Sequence, residues 1–234
     1  MSGIRTIILI TSLILGGCAS TPPNFNPKDP LERLNRNIYV FNDTVDRAVL
    51  KPVAKGYKAV IPRPARRMAH NFFSNIDDIF TTGNDLLQLK LRLAASDFTR
   101  VWVNSTFGVL GLFDVAYKLE KHNEDFGQTL GYWGVGSGPY LVLPFLGPSS
   151  VRDGAGLYVE SYNGLIENIE DIRTRNSLYV TDKIDERAQL LDSEKILDDT
   201  VLDRYSFIRD GYLMRRRSLV YDGDPPREKY EDEE

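Results

Sequence analysis

Cys18 is the one cysteine in this chain of 234 residues. A single cysteine cannot form an intramolecular disulfide bond, so its thiol is available for another reaction. It stands directly after Leu15-Gly16-Gly17, where small residues end a short apolar run. A cysteine that follows small residues in this way is a candidate for covalent modification after cleavage of the chain.

Residues 1–17 have the layout of a secretory signal peptide, in which Arg5 supplies the positive charge ahead of an apolar run. A helix that spans a membrane needs roughly 20 apolar residues, and this run has about half that number. It therefore indicates a signal for export and not a membrane anchor. Together with Cys18 the pattern resembles a bacterial lipobox, in which the thiol is joined to diacylglycerol, the signal is cut off and the new amine is acylated. The alternative is an ordinary signal peptide that leaves an unpaired thiol in an oxidising compartment.

Acylation of Cys18 would hold the mature protein at a bilayer surface, because two or more acyl chains make a stable anchor. Ala19 and Ser20 lack the aspartate that favours inner-membrane retention in enteric lipoproteins. The sequence therefore predicts a lipid-anchored protein at the periplasmic face of the outer membrane of a Gram-negative bacterium. The acyl groups on Cys18 are the only cofactor-like groups that we expect.

Other patterns that could carry chemistry are weak. His70 and His122 have no partner at metal-ligand spacing, so no metal site is expected. The glycine-rich residues 134–138 lack the Gly-Lys-Ser/Thr ending of a phosphate-binding loop, and Pro139 follows them. No Gly-x-Ser-x-Gly motif is present, and no nucleophile can be placed beside a base. We expect no enzymatic activity, and a phospholipase is the weakest of the functional alternatives.

The charge pattern excludes one class of partner and suggests another. With 29 basic and 33 acidic residues, the chain has no basic excess that would attract nucleic acid. The segment between Asp46 and Asp77 contains no acid and is strongly basic. It could contact anionic lipid headgroups or an acidic partner, or it could be a solvated helix face. The candidate contact residues are Lys51, Lys55, Lys58, Arg63, Arg66 and Arg67. Residues 221–234 are acidic and predict a disordered tail.

Apolar periodicity predicts helices along most of the mature chain. Residues 18–28 lack apolar periodicity and are predicted to be a flexible tether. Asp29-Pro30-Leu31-Glu32 is typical of a helix start, in which Asp29 is the N-cap and Glu32 completes a capping box. An apolar stripe then runs to Lys51-Pro52. A break at residues 61–64 precedes a second helix. Residues 86–107 alternate like a strand, but their length favours a helix. Helical patterns resume after Arg152, including residues 165–172 and 184–212.

Residues 126–148 interrupt this pattern. They contain too many glycines and prolines for a helix and too many large apolar side chains for an exposed loop. We therefore predict an all-α domain over residues 29–220 with one irregular, Gly/Pro-rich apolar hairpin. The glycines allow the hairpin to move, whereas the alternative is a rigid element that closes the helical body.

Several sequence motifs of this chain resemble motifs of the MlaA (VacJ) family of outer-membrane lipoproteins and follow one another in the same order. They include Asp29-Pro30-Leu31-Glu32, Asn71-Phe72-Phe73-Ser74-Asn75, Asn84-Asp85-Leu86-Leu87-Gln88, Asn104-Ser105-Thr106-Phe107-Gly108 and most of residues 126–144. The likeness spans about residues 29–217. The sequence departs from the family at Ile79-Phe80, where a proline is expected, at Leu89, where glycine often follows the glutamine, and at Arg204, where Asp-Pro-Tyr is common.

The resemblance implies a helical ring or horseshoe of amphipathic helices embedded in the periplasmic leaflet of the outer membrane, beside a porin trimer. Such proteins remove misplaced phospholipids from the outer leaflet through a central amphipathic channel and pass them to a periplasmic carrier protein. By this likeness Tyr39, Phe41 and Asn42 border the channel. The predicted channel and hairpin residues are Gly131, Tyr132, Trp133, Gly134, Gly136, Gly138, Pro139, Tyr140, Leu141, Leu143, Pro144 and Phe145. The alternative function is a lipid-anchored scaffold that binds porins without moving lipid.

Replacement of Cys18 by Ser removes the thiol that accepts diacylglycerol. We expect Cys18→Ser to leave an unprocessed or mislocalised precursor, which membrane fractionation and intact-protein mass spectrometry would detect. A native protein whose Cys18 is an unmodified thiol would contradict the lipidation.

Overall fold

The computed structural model describes residues 26–198 and 202–227. The signal peptide, Cys18, most of the tether and the end of the acidic tail lie outside these residues. Within them the chain is mainly helical, with a single antiparallel pair of strands. The helices are α1 Glu32–Val45, α2 Lys51–Val60, α3 Arg63–Leu87, α4 Leu91–Thr106, α5 Phe126–Tyr132, α6 Val151–Asn163, α7 Ile172–Asp198 and α8 Arg204–Val220, and the strands are β1 Tyr140–Leu143 and β2 Gly147–Ser150.

The interior is polar and much of the surface is apolar. Fully buried side chains include Asn35, Asp85 and Asp97, whereas Leu34 and Phe41 of the apolar stripe of α1 are 52% and 45% exposed. Among the described residues, buried apolar side chains form two small clusters, one around Ala54 between α2 and α7 and one around Tyr140 beside α8. None of the helices in the described ranges combines the length and hydropathy needed to cross a bilayer.

The start of α1 differs from the predicted capping box. The helix begins at Glu32 without a side-chain cap, and Glu32 pairs with Arg36 at 2.7 Å. Asp29 is buried, where it accepts hydrogen bonds from the Asn35 amide at 2.8 Å and from the Tyr205 hydroxyl. The prediction was wrong because the Asp29 carboxylate is already used by the Asn35 side chain and by Tyr205 of α8, and Tyr205 lies 176 residues away, beyond the reach of a local rule.

The chain also stays helical beyond Lys51-Pro52. A π-helical turn, Asp46–Leu50, joins α1 to α2 and places Pro52 in the first turn of α2. Proline lacks an N–H and clashes with the carbonyl one turn earlier in a regular helix, and the wider π turn lies directly before it. Arg187 of α7 clamps Asp46 through two hydrogen bonds of 2.6 and 2.8 Å.

The segment 86–107 is not one helix. The α3 helix ends at Leu87, and α4 starts at Leu91 and packs against α3. Leu89 between them has a φ of 60°, a left-handed conformation in which glycine is favoured. Hydrogen bonds on both sides of Leu89 stabilise this turn although the residue is not glycine: the Lys90 N–H donates to the Asp85 carbonyl, and the Gln88 side chain donates to the Thr129 hydroxyl.

Two further predictions were wrong locally. Residues 126–132 are helical despite their glycines, because the Asp125 carboxylate caps α5 by accepting the Gln128 N–H at 2.8 Å. Residues 164–171 are not helical despite their apolar spacing, since α6 ends at Asn163 and α7 begins only at Ile172. The break at residues 61–64 is confirmed, although the next helix already begins at Arg63. The helical pattern predicted over residues 184–212 is confirmed in type, but it is divided between α7, which ends at Asp198, and α8, which begins at Arg204.

Asp85 of α3 and Asp97 of α4 form a buried pair of carboxyl groups, both 0% exposed. Neither oxygen of Asp85 accepts a hydrogen bond from any donor in the described ranges. Desolvation, followed by the neighbouring Asp97, raises the pKa of Asp85 to about 7. A proton on Asp85 removes the repulsion that two neighbouring buried carboxylates would otherwise exert on each other.

The folded protein therefore binds more protons than the unfolded chain between about pH 4 and 7, so stability falls as pH rises through that window. We expect Asp85→Asn, which keeps a donor toward Asp97 without a charge, to flatten this slope and to raise the unfolding free energy at pH 8 by about 2 kcal/mol. Denaturant titrations at pH 5 and 8 test it, with the exposed Glu120→Gln as control. An unchanged slope would show that Asp85 is ionised.

Candidate functional site

The hairpin is more regular than the sequence suggests. β1 and β2 pair in register from Tyr140 opposite Ser150 to Leu143 opposite Gly147. The turn between them places Phe145 in a left-handed conformation, with a φ of 65°, and leaves its ring 71% exposed. Tyr140, at the other end of β1, is fully buried against Tyr205 and Tyr212 of α8.

Two asparagines of α1 bond the backbone of the hairpin, Asn35 within β1 and Asn42 at the end of β1 and in the turn that follows. The Asn35 side chain donates to the Tyr140 carbonyl at 3.0 Å and accepts the Val142 N–H at 2.9 Å. The Asn42 side chain does the same with the Leu143 carbonyl, at 2.9 Å, and the Phe145 N–H, at 2.8 Å. Each primary amide thus imitates a peptide group of a third strand.

The spacing of the two asparagines fits this geometry. Seven residues of α-helix rise about 10.5 Å, which is nearly two full turns, so both side chains share one face. Three residues of strand advance about 10 Å, which is the separation of the two bonded sites on β1. The predicted residues of α1 therefore act on the hairpin: Asn42 bonds it, Phe41 packs edge-on against Phe145 at 5.2 Å, and Tyr39 contacts Tyr205.

A cavity of about 820 Å³ lies beside the hairpin, between α3, α5, α6, α7 and α8. Its apolar wall includes Phe80, Leu143, Leu146, Leu157 and Leu219. Its polar wall carries seven carboxylates against three basic side chains. These are Asp77, Glu124, Asp125, Glu160, Glu167, Asp182 and Glu186 against Lys183, Arg215 and Arg216. The arrangement suits a ligand with an apolar part and a charged part.

A charged network holds the base of this cavity. Arg216 of α8 bonds Asp153 of α6 at 2.8 Å and Asp125, the cap of α5, at 2.9 Å. The Tyr212 hydroxyl donates to the same Asp153 at 2.6 Å. Burial alone would raise the pKa of Asp153, but Arg216 and Tyr212 outweigh it and lower that pKa to about 2. Asp153 is therefore ionised at all physiological pH values, and three helices are fixed to one another.

This network needs glycine at one close approach. A Cβ on Gly127 would lie 2.7 Å from the Asp153 carboxylate and 2.9 Å from the Arg216 guanidinium. A Cβ on Gly156 would in turn lie 2.6 Å from the Gly127 nitrogen. Glycines at both positions let α5 and α6 cross closely enough for the ion pairs to form.

The remaining predicted hairpin residues divide into three groups. Leu143 lines the cavity, while Leu141 is half-buried and Pro144 exposed at the turn.

Tyr132 and Trp133 are exposed and lie at the end of α3, where the indole N–H bonds the Leu87 carbonyl at 3.0 Å. The segment from Gly134 to Pro139 is exposed, and only Gly134 and Gly138 there have positive φ. Gly131 lies in α5, and Gly136 has no neighbour within 4 Å of an added Cβ.

The basic candidates do not line this cavity. Lys51 and Lys58 pair with Glu194 and Asp192 of α7, at 3.0 and 2.6 Å, around a smaller cavity of about 440 Å³ that Lys55 also lines. Arg66 bonds the Ile61 carbonyl at 3.1 Å. Lys55, Arg63 and Arg67 are exposed. Part of the basic stretch is thus used to join α2 to α7.

Comparison with known proteins agrees with this geometry. The model of the MlaA lipoprotein family matches residues 27–219. The chain belongs to the MlaA lipoprotein family. It is 31% identical to the intermembrane phospholipid transport system lipoprotein MlaA of Escherichia coli K12 over 94% of this chain and 90% of that protein. The MlaA of Haemophilus influenzae is 30% identical over 94% and 92% of the two chains.

Structural similarity extends to a solved MlaA-family relative. That structure, from work on the maintenance of bacterial outer membrane lipid asymmetry, superposes with a TM-score of 0.72 at 32% identity. The match covers 82% of this chain and 98% of the other. The mainly helical fold predicted from the family resemblance is therefore confirmed, whereas the ring shape remains a prediction.

Sequence reasoning missed several residues of the site. Asn35, Asp153 and Arg216 position the hairpin and the cavity, while Asp77 and Glu160 line it. Asn35 left a usable signal, because Asn35 and Asn42 repeat at seven residues within an apolar stripe. Asp153 bonds Tyr212 and Arg216, which lie 59 and 63 residues away, and no local pattern encodes partners at that distance.

Removal of the Asn42 amide should loosen the turn of the hairpin. We expect Asn42→Ala to speed amide exchange at Phe145 about tenfold or more, because its N–H loses its acceptor. Asn37→Ala, on the exposed face of the same helix, is the matched control. Deletion of Phe41-Asn42 would be more severe, since it rotates the rest of the helix by about 200°. Unaltered exchange in Asn42→Ala would show that the turn holds itself.

Proposed function

We propose that this protein removes misplaced phospholipids from the outer leaflet of the outer membrane and passes them to a periplasmic carrier. Its relatives in Escherichia coli and Haemophilus influenzae are named as lipoproteins of an intermembrane phospholipid transport system. The observation that carries the proposal is the cavity beside the hairpin, which joins an apolar wall to a charged wall. A phospholipid has the matching division into acyl chains and headgroup.

The apolar surface supports a position within one leaflet. Large side chains are exposed on α4 and the segment after it, among them Phe98 at 59% and Trp102 at 54%. Leu110 and Phe113 continue this surface. Helices that expose wide apolar faces without the length to span can lie in the headgroup and acyl region of a bilayer. Acylated Cys18 would add a covalent anchor at the same membrane.

The hairpin is suited to act as the movable wall of the passage. Leu143 and Leu146 face the cavity, and the turn that carries them is held to α1 by the Asn42 amide and by the contact of Phe41 with Phe145. Release of these contacts would move an apolar wall while the ion pairs of Arg216 keep the helices in place. In this proposal Tyr39, Phe41 and Asn42 serve the channel by positioning its hairpin.

The partners follow from the same proposal. A porin trimer would lie against part of the exposed apolar surface, and the periplasmic carrier would receive lipid from the charged side of the cavity. The exposed cations Lys55, Arg63 and Arg67 are suited to anionic headgroups or to an acidic face of a partner. A scaffold that binds porins would need the apolar surface but not the cavity.

The decisive test is an assay of outer-leaflet phospholipid in cells that lack the gene. We expect such cells to accumulate phospholipid at the outer surface, as measured by amine labelling of intact cells or by an added phospholipase. A plasmid copy should restore asymmetry, and a copy with Cys18→Ser should not. Normal asymmetry in the deletion strain would favour the scaffold.

A disulfide engineered between the hairpin turn and α1 tests the movement. The native chain offers no competing thiol once Cys18 is acylated. We expect the oxidised, crosslinked protein to fail in lipid removal and the reduced protein to recover it. The matched control is a disulfide across β1 and β2, which fixes the strands to each other without joining them to the helix. Full activity of the crosslinked protein would make the hairpin a static packing element.

A further inference from the structure

The charged wall of the cavity is unevenly neutralised. Of its three basic side chains, Arg216 is bonded to Asp125 and Asp153, and Lys183 lies within 3.1 Å of Asp182 and Glu186. Across the described part of the chain, Asp77, Glu160 and Glu167 form no ion pair, although all three line the cavity. The acidic excess of the wall is therefore carried by these side chains, of which Asp77 and Glu160 lie close enough to each other for their charges to interact.

Asp77 is exposed and Glu160 is half-buried, and the surroundings of each disfavour its negative charge when the cavity holds no ligand. Desolvation, with Asp182 and Glu186 nearby, raises the pKa of Asp77 to about 6 despite the opposing Lys121. Burial also raises the pKa of Glu160, against a hydrogen bond from the Phe126 N–H. Each carboxylate would be stabilised by a cation that enters the cavity.

A buried acceptor lies in the same wall. Gln128 is only 2% exposed, and its amide nitrogen donates to the Asn123 carbonyl at 3.1 Å and to Asp125 at 3.2 Å, which fixes the amide orientation. Its oxygen accepts no hydrogen bond from the described residues. Two carboxylates and an unsatisfied carbonyl form a set of acceptors that calls for an N–H donor with positive charge.

We propose that the cavity selects phospholipids with a primary ammonium headgroup, which Asp77 and Glu160 bind, over anionic and quaternary-ammonium lipids. This inference rests on the proposed passage of phospholipid through the cavity. Arg215, which is exposed and lines the cavity, is the cation available to the lipid phosphate. A zwitterion with a primary amine satisfies both signs of charge, whereas a glycerol headgroup leaves a net anion beside the carboxylates. A choline headgroup has the charge but no N–H to donate.

The test uses the full-length lipidated protein in vesicles. Three photoactivatable lipids with the same diazirine acyl chain and ethanolamine, glycerol or choline headgroups are each incorporated at equal mole fraction. Adducts on peptides of the cavity wall, such as residues 76–80 and 157–167, are counted by mass spectrometry. Adducts on the exposed α4 peptide with Phe98 and Trp102 provide the reference for bulk lipid in the same sample.

We expect the number of cavity adducts, divided by the number of α4 adducts in the same sample, to be about tenfold higher for ethanolamine lipid than for either of the other two lipids. This ratio corresponds to a difference in binding free energy of about 1.4 kcal/mol. Asp77→Asn combined with Glu160→Gln should abolish the preference without reducing total cavity adducts. Asp77→Asn alone should weaken it, and the exposed Glu170→Gln should leave it unchanged.

Equal labelling by the three lipids, or a preference that survives the double variant, would overturn the selectivity. Equal labelling by choline and ethanolamine lipid would also overturn it, because the hydrogen-bond acceptors of the cavity would then not distinguish a headgroup with N–H donors from one without them. An absence of any adduct on the cavity peptides, with normal labelling of α4, would instead overturn the proposed passage itself.

Discussion

Polar side chains fill the interior of this protein, so hydrogen bonds and ion pairs, more than apolar contacts, join its helices. A buried polar group is unfavourable unless it meets a partner, and a buried charge is far more so. Asp153 shows how the requirement is met, since Arg152 of its own helix and Tyr212 and Arg216 of α8 all donate to its carboxylate. Loss of Arg216 would leave two carboxylates without their main partner, at a cost of about 3–5 kcal/mol. The helical arrangement and the cavity thus depend on the same few charges.

A polar interior leaves the apolar residues on the outside. The two buried apolar clusters are small, while Leu34, Phe98, Trp102 and Leu110 are all about half exposed or more. In water such a surface would favour association, whereas in the acyl region of a bilayer it is the favourable surface. The inverted pattern and the expected acylation of Cys18 are separate features of the chain, and both are consistent with the proposed position in one membrane leaflet.

The helices could be predicted from the sequence better than the contacts between them. Periodicity predicted the break at residues 61–64 and the helical character of residues 184–212, because these depend on neighbours in sequence, but it did not predict the division between α7 and α8. Periodicity alone does not show whether an apolar stripe is buried inside the protein or exposed on its surface. The exposure of apolar residues of α1 such as Leu34 could therefore not be predicted from it. The capping role of Asp29 failed for a related reason, since Tyr205 lies 176 residues away. The family resemblance led us to expect a channel, but it did not indicate the carboxylates that line the observed cavity.

The walls of the cavity differ in how firmly they are held. Arg216 joins α5, α6 and α8 through charged hydrogen bonds, which are about twice as strong as neutral ones. β1 is joined to α1 by neutral amide bonds, and these differ along its length: Asn35 is 1% exposed, whereas Asn42 and the turn that it holds lie partly in solvent. Water can replace the bonds of Asn42 but not those of Asn35. The hairpin is therefore anchored at Tyr140 and least constrained at its turn, where Leu143 and Leu146 face the cavity. Opening of the passage would begin at the Asn42 end of β1, because Gly134 and Gly138 shape a connection that does not line the cavity.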